Sequence, residues 1–514
     1  MFSDIYLASY SKKLSMNKAI TFCLVFLCMG LKSYCQLSVD KHFSDHMVLQ
    51  REQPVTLSGN AEPQAKVIIN FGAIHLQTTT DTNGYWSVVL PKQKAQSKGV
   101  SLVVASKEEQ ITYDDILIGD IWLLIGQSNM EFELKGDMYY EEEKKKLHQP
   151  LLRFYNPTFG GKYIFNRQFK DSVLNLLTPE HFYSAVDWQV SDSSSAPSIS
   201  AVGYYFARKI IDSVNVPIGL IHLAIGGAPI ETFISTKALA NSEFSKKIKG
   251  NWLYNDSLPD WIRERGQQNV GEKAIHSDQL GPNHGYKPGF AYDSGIKPLE
   301  DFPIRGILWY QGESNAQEIG RVMEYNKLQK LMLSELRALW KNPKLPFYYA
   351  QLSSIDTLRY NGQLWPIFRN EQRLFLNSTK KTGMAVSSDI GTKHDVHPKN
   401  KKTVGERLSL WALRDVYHFD CTVSGPLATK AVFKNKQIVI YFQSIGKGLS
   451  FKGAHLLGFY LDGKAVQAQI RGNTVVISAE QKPHKVAYGF ASFSLGNLTN
   501  KEKLPASSFI LDVQ

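Results

Sequence analysis

Cysteine is scarce in this chain of 514 residues. There are four: Cys23, Cys28 and Cys35 near the start, and Cys421. So few exclude a disulfide-built scaffold, and the lack of any CxxC or Cys/His cluster excludes a structural zinc site. Long apolar runs are lacking too. The run at 19–31 (AITFCLVFLCMGL) is too short to span a bilayer comfortably, and no other stretch comes closer. No transmembrane helix and no stable membrane insertion are therefore expected. Dense basic tracts are also absent: 59 Lys+Arg against 47 Asp+Glu give +12, but KNKK (399–402) is only a short cluster. That argues against a nucleic-acid partner. No internal repeat is visible. What remains is a folded globular composition, 43% hydrophobic and 12% aromatic, long enough for several domains.

The cysteines and the apolar run belong together. Residues 19–31 follow Lys18 and lead to Ser33 and Cys35. A positive flank, a short apolar core and small residues at −3 and −1 make residues 1–35 a signal peptide, with Met16 as an alternative start and cleavage before Gln36. Lipid attachment at Cys35 is the rival, and Lys32-Ser33-Tyr34 is a poor approach to a lipidated cysteine. The protein is expected to be exported, to the periplasm or beyond. Without residues 1–35, which hold four lysines and one aspartate, the charge falls to +9 and one cysteine is left.

Three regions follow. Residues 36–114 read as a β-domain: VTLSG (55–59), KVIINF (66–71) and YWSVVL (85–90) alternate or are β-branched, between Gly and Asn turns. From 115 the pattern becomes near-continuous apolar runs: DILIGDIWLLIG (115–126), PIGLIHLAIGG (217–227), IRGILWYQG (304–312), PFYYAQL (346–352) and GMAVSSD (383–389). Helical faces lie between them, as in 321–341 and 403–416. Buried strands alternating with helices predict an α/β domain over 115–420, a parallel sheet covered on both faces. Residues 136–200 read as polar excursions. From 421 to 514 short strands return (QIVIYF, AQIRG, NTVVISA), predicting a second flanking β-sandwich-like domain.

In an open parallel sheet, sites collect beyond the carboxyl ends of the strands. Four such ends carry chemistry. The first finishes in Gly126-Gln127-Ser128-Asn129-Met130, where Ser128 is placed either as a nucleophile or as a helix cap. Met130 departs from G-x-S-x-G, so an α/β-hydrolase elbow is excluded. A nucleophilic serine needs a base, and His397 follows another strand end with Asp395 close enough to orient it. IGGAPIE (225–231) and WYQGESN (309–315) bring Gly-Gly and Gln311 to the same edge, as amide donors for an oxyanion.

Together these blocks resemble the SGNH hydrolase superfamily, and more closely the sialate O-acetylesterase family of carbohydrate esterases. The likeness rests on GDIWLLIGQSNME (119–131), GGAPIE (226–231), WYQGESNA (309–316), DVHPKNK (395–401) with VGERL (404–408), and the flanking NGYWSVVLP (83–91) and LPASSFILD (504–512). It implies a three-layer SGNH-type α/β fold and an exported esterase that frees acetyl groups from O-acetylated sugars, sialic acids first. It implies Ser128 as nucleophile, His397 as base, and Gly227 (or Gly226) with Gln311 and the Ser128 amide as oxyanion hole. No metal and no cofactor are needed. Many SGNH enzymes place the acid three residues before the histidine. Here that position is His394, so Asp395 ranks first, with Asp389, Glu313 or a backbone carbonyl as alternatives. An esterase on plant polysaccharide such as acetyl-xylan, or a non-catalytic carbohydrate-binding surface protein, are the competing readings.

Overall fold

The computed structural model describes residues 36–356 and 360–514. The expected signal peptide lies outside the described residues. The chain forms two compact units. One comprises the residues up to Asp40, Leu57–Val88 and Leu102–Thr112, and the other Lys41–Thr56, Val89–Ser101 and Tyr113–Gln514. In the first, Ser38–Val39 pairs antiparallel with Val55–Asn60, and Lys66–Phe71 pairs antiparallel with Ile74–Thr79 and Gln96–Ser106. The alternation behaves as expected: Val67, Ile69 and Phe71 are buried while Lys66 and Ile68 face water.

The second unit is built on a mixed sheet. Its strands are β1 (Glu109–Gly126), β2 (Gln149–Tyr155), β3 (Gln189–Ser191), β4 (Ile218–His222), β5 (Gly306–Tyr310), β6 (Phe347–Ala350) and β7 (Thr382–Ala385), in the order β3-β2-β4-β1-β5-β6-β7. All neighbours are parallel except β3 and β2. Every residue of β4, β5, β6 and β7 is buried, so both faces are covered. Six helices matter below: α1 (Ser128–Glu131), α2 (Ala201–Val214), α3 (Asp260–Asn269), α4 (Ile319–Leu339), α5 (Trp365–Ser378) and α6 (Lys401–Asp415). α2 packs on α6, and α4 on α5.

Residues 136–200 are not all excursion. β2 is a strand between β3 and β4, buried from Leu152 onward, and its Arg153 is buried with its guanidinium 2.8 Å from Asp115. A charged residue inside a short run hid it from the pattern. Residues from 421 onward make their own strands around Ile438, Ile440, Val475, Val486 and Phe509. They fall in the same compact unit as the central sheet. Arg369 of α5, fully buried, bonds the Ser508 hydroxyl (3.1 Å) and the Gly489 (3.0 Å) and Ala491 (2.6 Å) carbonyls, and Gln351 bonds the Ser507 hydroxyl (2.8 Å).

Candidate active site

β1, β4, β5 and β7 run parallel, so their carboxyl ends open on one edge. β1 ends at Gly126, whose φ of +134° suits glycine; a Cβ there would stand 2.2 Å from the Tyr310 carbonyl oxygen. The chain then turns, the Gln127 N–H bonding the Tyr310 carbonyl (2.9 Å), and Ser128 opens α1. Ser128 caps nothing. Its Oγ instead lies 2.8 Å from Nε2 of His397, brought from 269 residues away. The pair borders a cavity of about 730 Å³.

Two links fix that meeting. Asn129, fully buried, gives Nδ2 to the Val396 carbonyl (3.0 Å) and to Glu313, and its Oδ1 accepts from Lys401 Nζ. Asn400 caps α6, accepting from the Thr403 N–H (3.1 Å), and the Lys401 N–H bonds Asp137 (2.8 Å). The nucleophile turn and the histidine loop are thereby tied through one asparagine and one lysine. Burial pushes the Lys401 ammonium down to about 7, with Glu313 and Asp137 opposing. Burial, then the Lys401 charge, lower the His397 imidazole from its ordinary value, against the pull of Asp395. Both effects keep the imidazole neutral, the state a general base needs.

The acid is less simple. Asp395 Oδ1 accepts from the His397 backbone N–H (2.8 Å) and lies 3.7 Å from Nδ1, a separation longer than a hydrogen bond. Asp389 is held by Arg407 (2.7 Å), and Glu313 takes the Asn129 amide. Among the described residues Asp395 is therefore the carboxylate nearest the ring.

Gly227 borders the cavity with φ +78°; a Cβ there would meet the Tyr286 hydroxyl at 2.3 Å. Gly226 lies beside it, with its N–H on Glu131. Gln311 sits deeper and does not line the cavity. Its Nε2 donates to Asn315 (2.8 Å), Gln127 (3.1 Å) and the Ala228 carbonyl (3.2 Å), while Oε1 accepts from Tyr325 (2.7 Å). The residue that does line it is Gln127. Its Oε1 accepts from Gln311 and from the Gly312 (3.3 Å) and Ser314 (3.2 Å) N–H groups, which leaves Nε2 as its outward end. The sequence offered two glutamines at strand ends; only side-chain direction separates them.

The rest of the wall came from the excursions. Glu131 is buried with Lys162 at 3.8 Å, and burial pushes its carboxyl up to about 7. Trp261 bonds the Ser314 carbonyl (3.2 Å) and stands edge-on to Tyr286. Tyr163, Phe165 and Arg265 complete this side. Among the described residues no His/Cys/Asp/Glu group could hold a metal ion, and no helix is long and apolar enough to cross a membrane.

The chain is similar to known proteins along most of its length. The family model described as carbohydrate esterase, sialic acid-specific acetylesterase, matches residues 118–256 and 287–413, more than half of the chain. The sialate O-acetylesterase of Rattus norvegicus is 26% identical over 440 residues, 76% of this chain and 75% of the rat protein. That of Homo sapiens is 25% identical over 456 residues, 79% of this chain and 76% of the human one. A carbohydrate acetylesterase from Xanthomonas citri superposes with a TM-score of 0.75 at 27% identity, covering 92% of this chain and 99% of its own.

Proposed function

Because the chain belongs to the sialic acid-specific acetylesterase family of carbohydrate esterases, and is with it a carboxylic ester hydrolase, we propose that it removes O-acetyl groups from sialic acids through an acetyl-serine intermediate on Ser128. The observation that carries this reading is the 2.8 Å contact between Ser128 Oγ and His397 Nε2 at the cavity wall.

The reaction is a double displacement. His397 Nε2 takes the hydroxyl proton as Oγ bonds to the acetyl carbon. The carbonyl oxygen becomes an oxyanion, received by N–H donors. Ser128 N–H belongs to the first turn of a helix and has no intrahelical acceptor. Gly227 N–H and the outward amide of Gln127 are the other two, with Gln311 as the positioning residue that holds Gln127. The C–O bond to the sugar breaks, and His397 returns the proton to the leaving hydroxyl. Water, deprotonated by the same imidazole, then attacks the acetyl carbon, the bond from that carbon to Oγ breaks, and the imidazolium returns the proton to Oγ as acetate leaves. Asp395 orients His397 from Nδ1's side. The aromatic wall of Trp261, Tyr286 and Tyr163 offers ring faces to a sugar. Export is part of the proposal and rests on residues 1–35 alone.

The test is acetate release from O-acetylated sialic acids beside acetyl-xylan, with wild type and Ser128→Ala. We expect the sialic acids to be preferred and the variant to be inactive on all. Preference for acetyl-xylan would move the substrate to plant polysaccharide, and turnover by the variant would remove the serine mechanism.

A further inference from the structure

One wall of the cavity carries a guanidinium that no described residue pairs with. Among the described residues, Lys135 and Arg265 are the lysine and arginine that line it. Lys135 Nζ is spoken for, 2.6 Å from Glu133. Arg265 has neither an ion pair nor a hydrogen bond with any described residue, and its Nε is buried without a partner. It faces the Phe165 ring, 5.7 Å from the guanidinium carbon, and its charge also bears on Tyr286 and His284. A ring contact of that kind positions the planar fork without occupying its N–H groups, which stay available to a ligand.

The helix is set to present this group. In α3, Trp261 and Arg265 are one turn apart on one face, and both border the cavity. The opposite face is fixed: Ile262 and Gly266 are buried, and Gln267 bonds the Leu253 carbonyl (2.9 Å). The wall thus offers an apolar ring beside a fork of N–H donors, in the chamber that holds Ser128. The carboxylates of the same chamber do not answer Arg265. Glu133 pairs with Lys135, Glu131 has Lys162 within 3.8 Å, and Glu313 takes the Asn129 amide.

We propose that Arg265 is a carboxylate subsite, and that the acetylated sugar taken by this cavity is an acidic one, held by two parallel N–H···O bonds while its ring lies along Trp261. The proposal rests on the esterase reading above and makes Arg265 a specificity-determining residue. A sialic acid and a hexuronic acid share this chemistry, and the test separates them.

The experiment compares each acid with its own methyl ester, which keeps the sugar and removes the charge: O-acetylated sialic acid against its methyl ester, and acetylated galacturonan against its methyl ester. Full-length wild type, Arg265→Gln and Arg265→Lys are assayed, each rate divided by the same enzyme's turnover of an aryl acetate, so that a general loss of fold cancels. The expected result is kcat/KM at least about tenfold higher for the acid than for the ester in wild type, through KM, for one of the two sugars. That ratio falls to near one in Arg265→Gln and is only partly kept by Arg265→Lys, which has charge without the fork. Equal values for acid and ester in wild type with both sugars, or an undiminished ratio in Arg265→Gln, overturn the subsite. The serine reading fails separately, by aryl acetate turnover in Ser128→Ala.

Discussion

The two ends of the parallel strands treat buried carboxylates in opposite ways. At the amino end Asp120 of β1 is fully buried, yet its carboxyl is held below the usual range: against the burial stand Arg305 and Arg51, with Gln50 bonded at 2.9 Å and Tyr417 at 2.9 Å. Its contacts to Arg305 and Arg51 are 2.6 and 2.9 Å. At the carboxyl end Glu131 and Glu313 are as deeply buried, and burial wins: both are pushed up, Glu131 to about 7. Oε1 of the first and Oε2 of the second have no hydrogen-bond partner. His222 Nε2, where β4 ends, and Arg265 Nε are left in the same condition. A saturated cluster holds strands together. A cluster with polar atoms free of protein partners can take a ligand's polar groups, and it lies where Ser128 and His397 meet.

The sharpest way to break this contrast is at the nucleophile. Ser128→Ala should lower aryl acetate turnover by about four orders of magnitude or more, with an unchanged circular dichroism spectrum and melting temperature. Asp120→Ala should do the reverse. Two half-buried arginines would lose the carboxylate they share, Arg305 keeping Glu52, and urea unfolding should show a loss of about 1.5–3 kcal/mol, while the folded fraction keeps its kcat. At the oxyanion, Gln127→Glu keeps the Oε1 acceptor for Gly312 and Ser314 but replaces the outward donor. We expect kcat to fall by about a hundredfold with KM little changed. An unchanged kcat would remove Gln127 from the hole.

The smallest effects are in pH. A base whose value is lowered stays active further into acid, so kcat/KM should fall on acidification only below the ordinary imidazole value of 6.5. For Glu131 the folded value, about 7, exceeds the ordinary carboxylate value of 4.5. Between these the folded state binds more protons than the unfolded one, so this group's contribution to stability declines as pH rises from about 4.5 to about 7. Glu131→Gln should remove that slope from a series of melts. A slope that survives would assign it to another group.

Much of this was legible because parallel strands are apolar along their whole length and end abruptly in the residues that act. The runs ending at Gly126, Tyr310 and Ala385 stand out for that reason, and so does the pairing of Ser128 with His397. α5 was not legible: Arg369, Glu371 and Arg373 are all buried in it, so its polar positions do not mark a solvent face. β2 was hidden by Arg153. Gln127 and Gln311 look alike in sequence, and only the Oε1 contacts to Gly312 and Ser314 show which one turns outward. Arg265 lies in α3, a short polar helix with no apolar periodicity to draw attention to it, and its meaning comes from the partners it lacks among the described residues.

An acetyl group carried by Ser128 can be trapped by acid-quenching the enzyme during turnover of an aryl acetate and mapping the digested protein by mass spectrometry. We expect one added acetyl group on the peptide containing Ser128, at a level that rises with substrate concentration and is absent from Ser128→Ala. Full turnover with that peptide unmodified, or acetate release by Ser128→Ala at the wild-type rate, would contradict it.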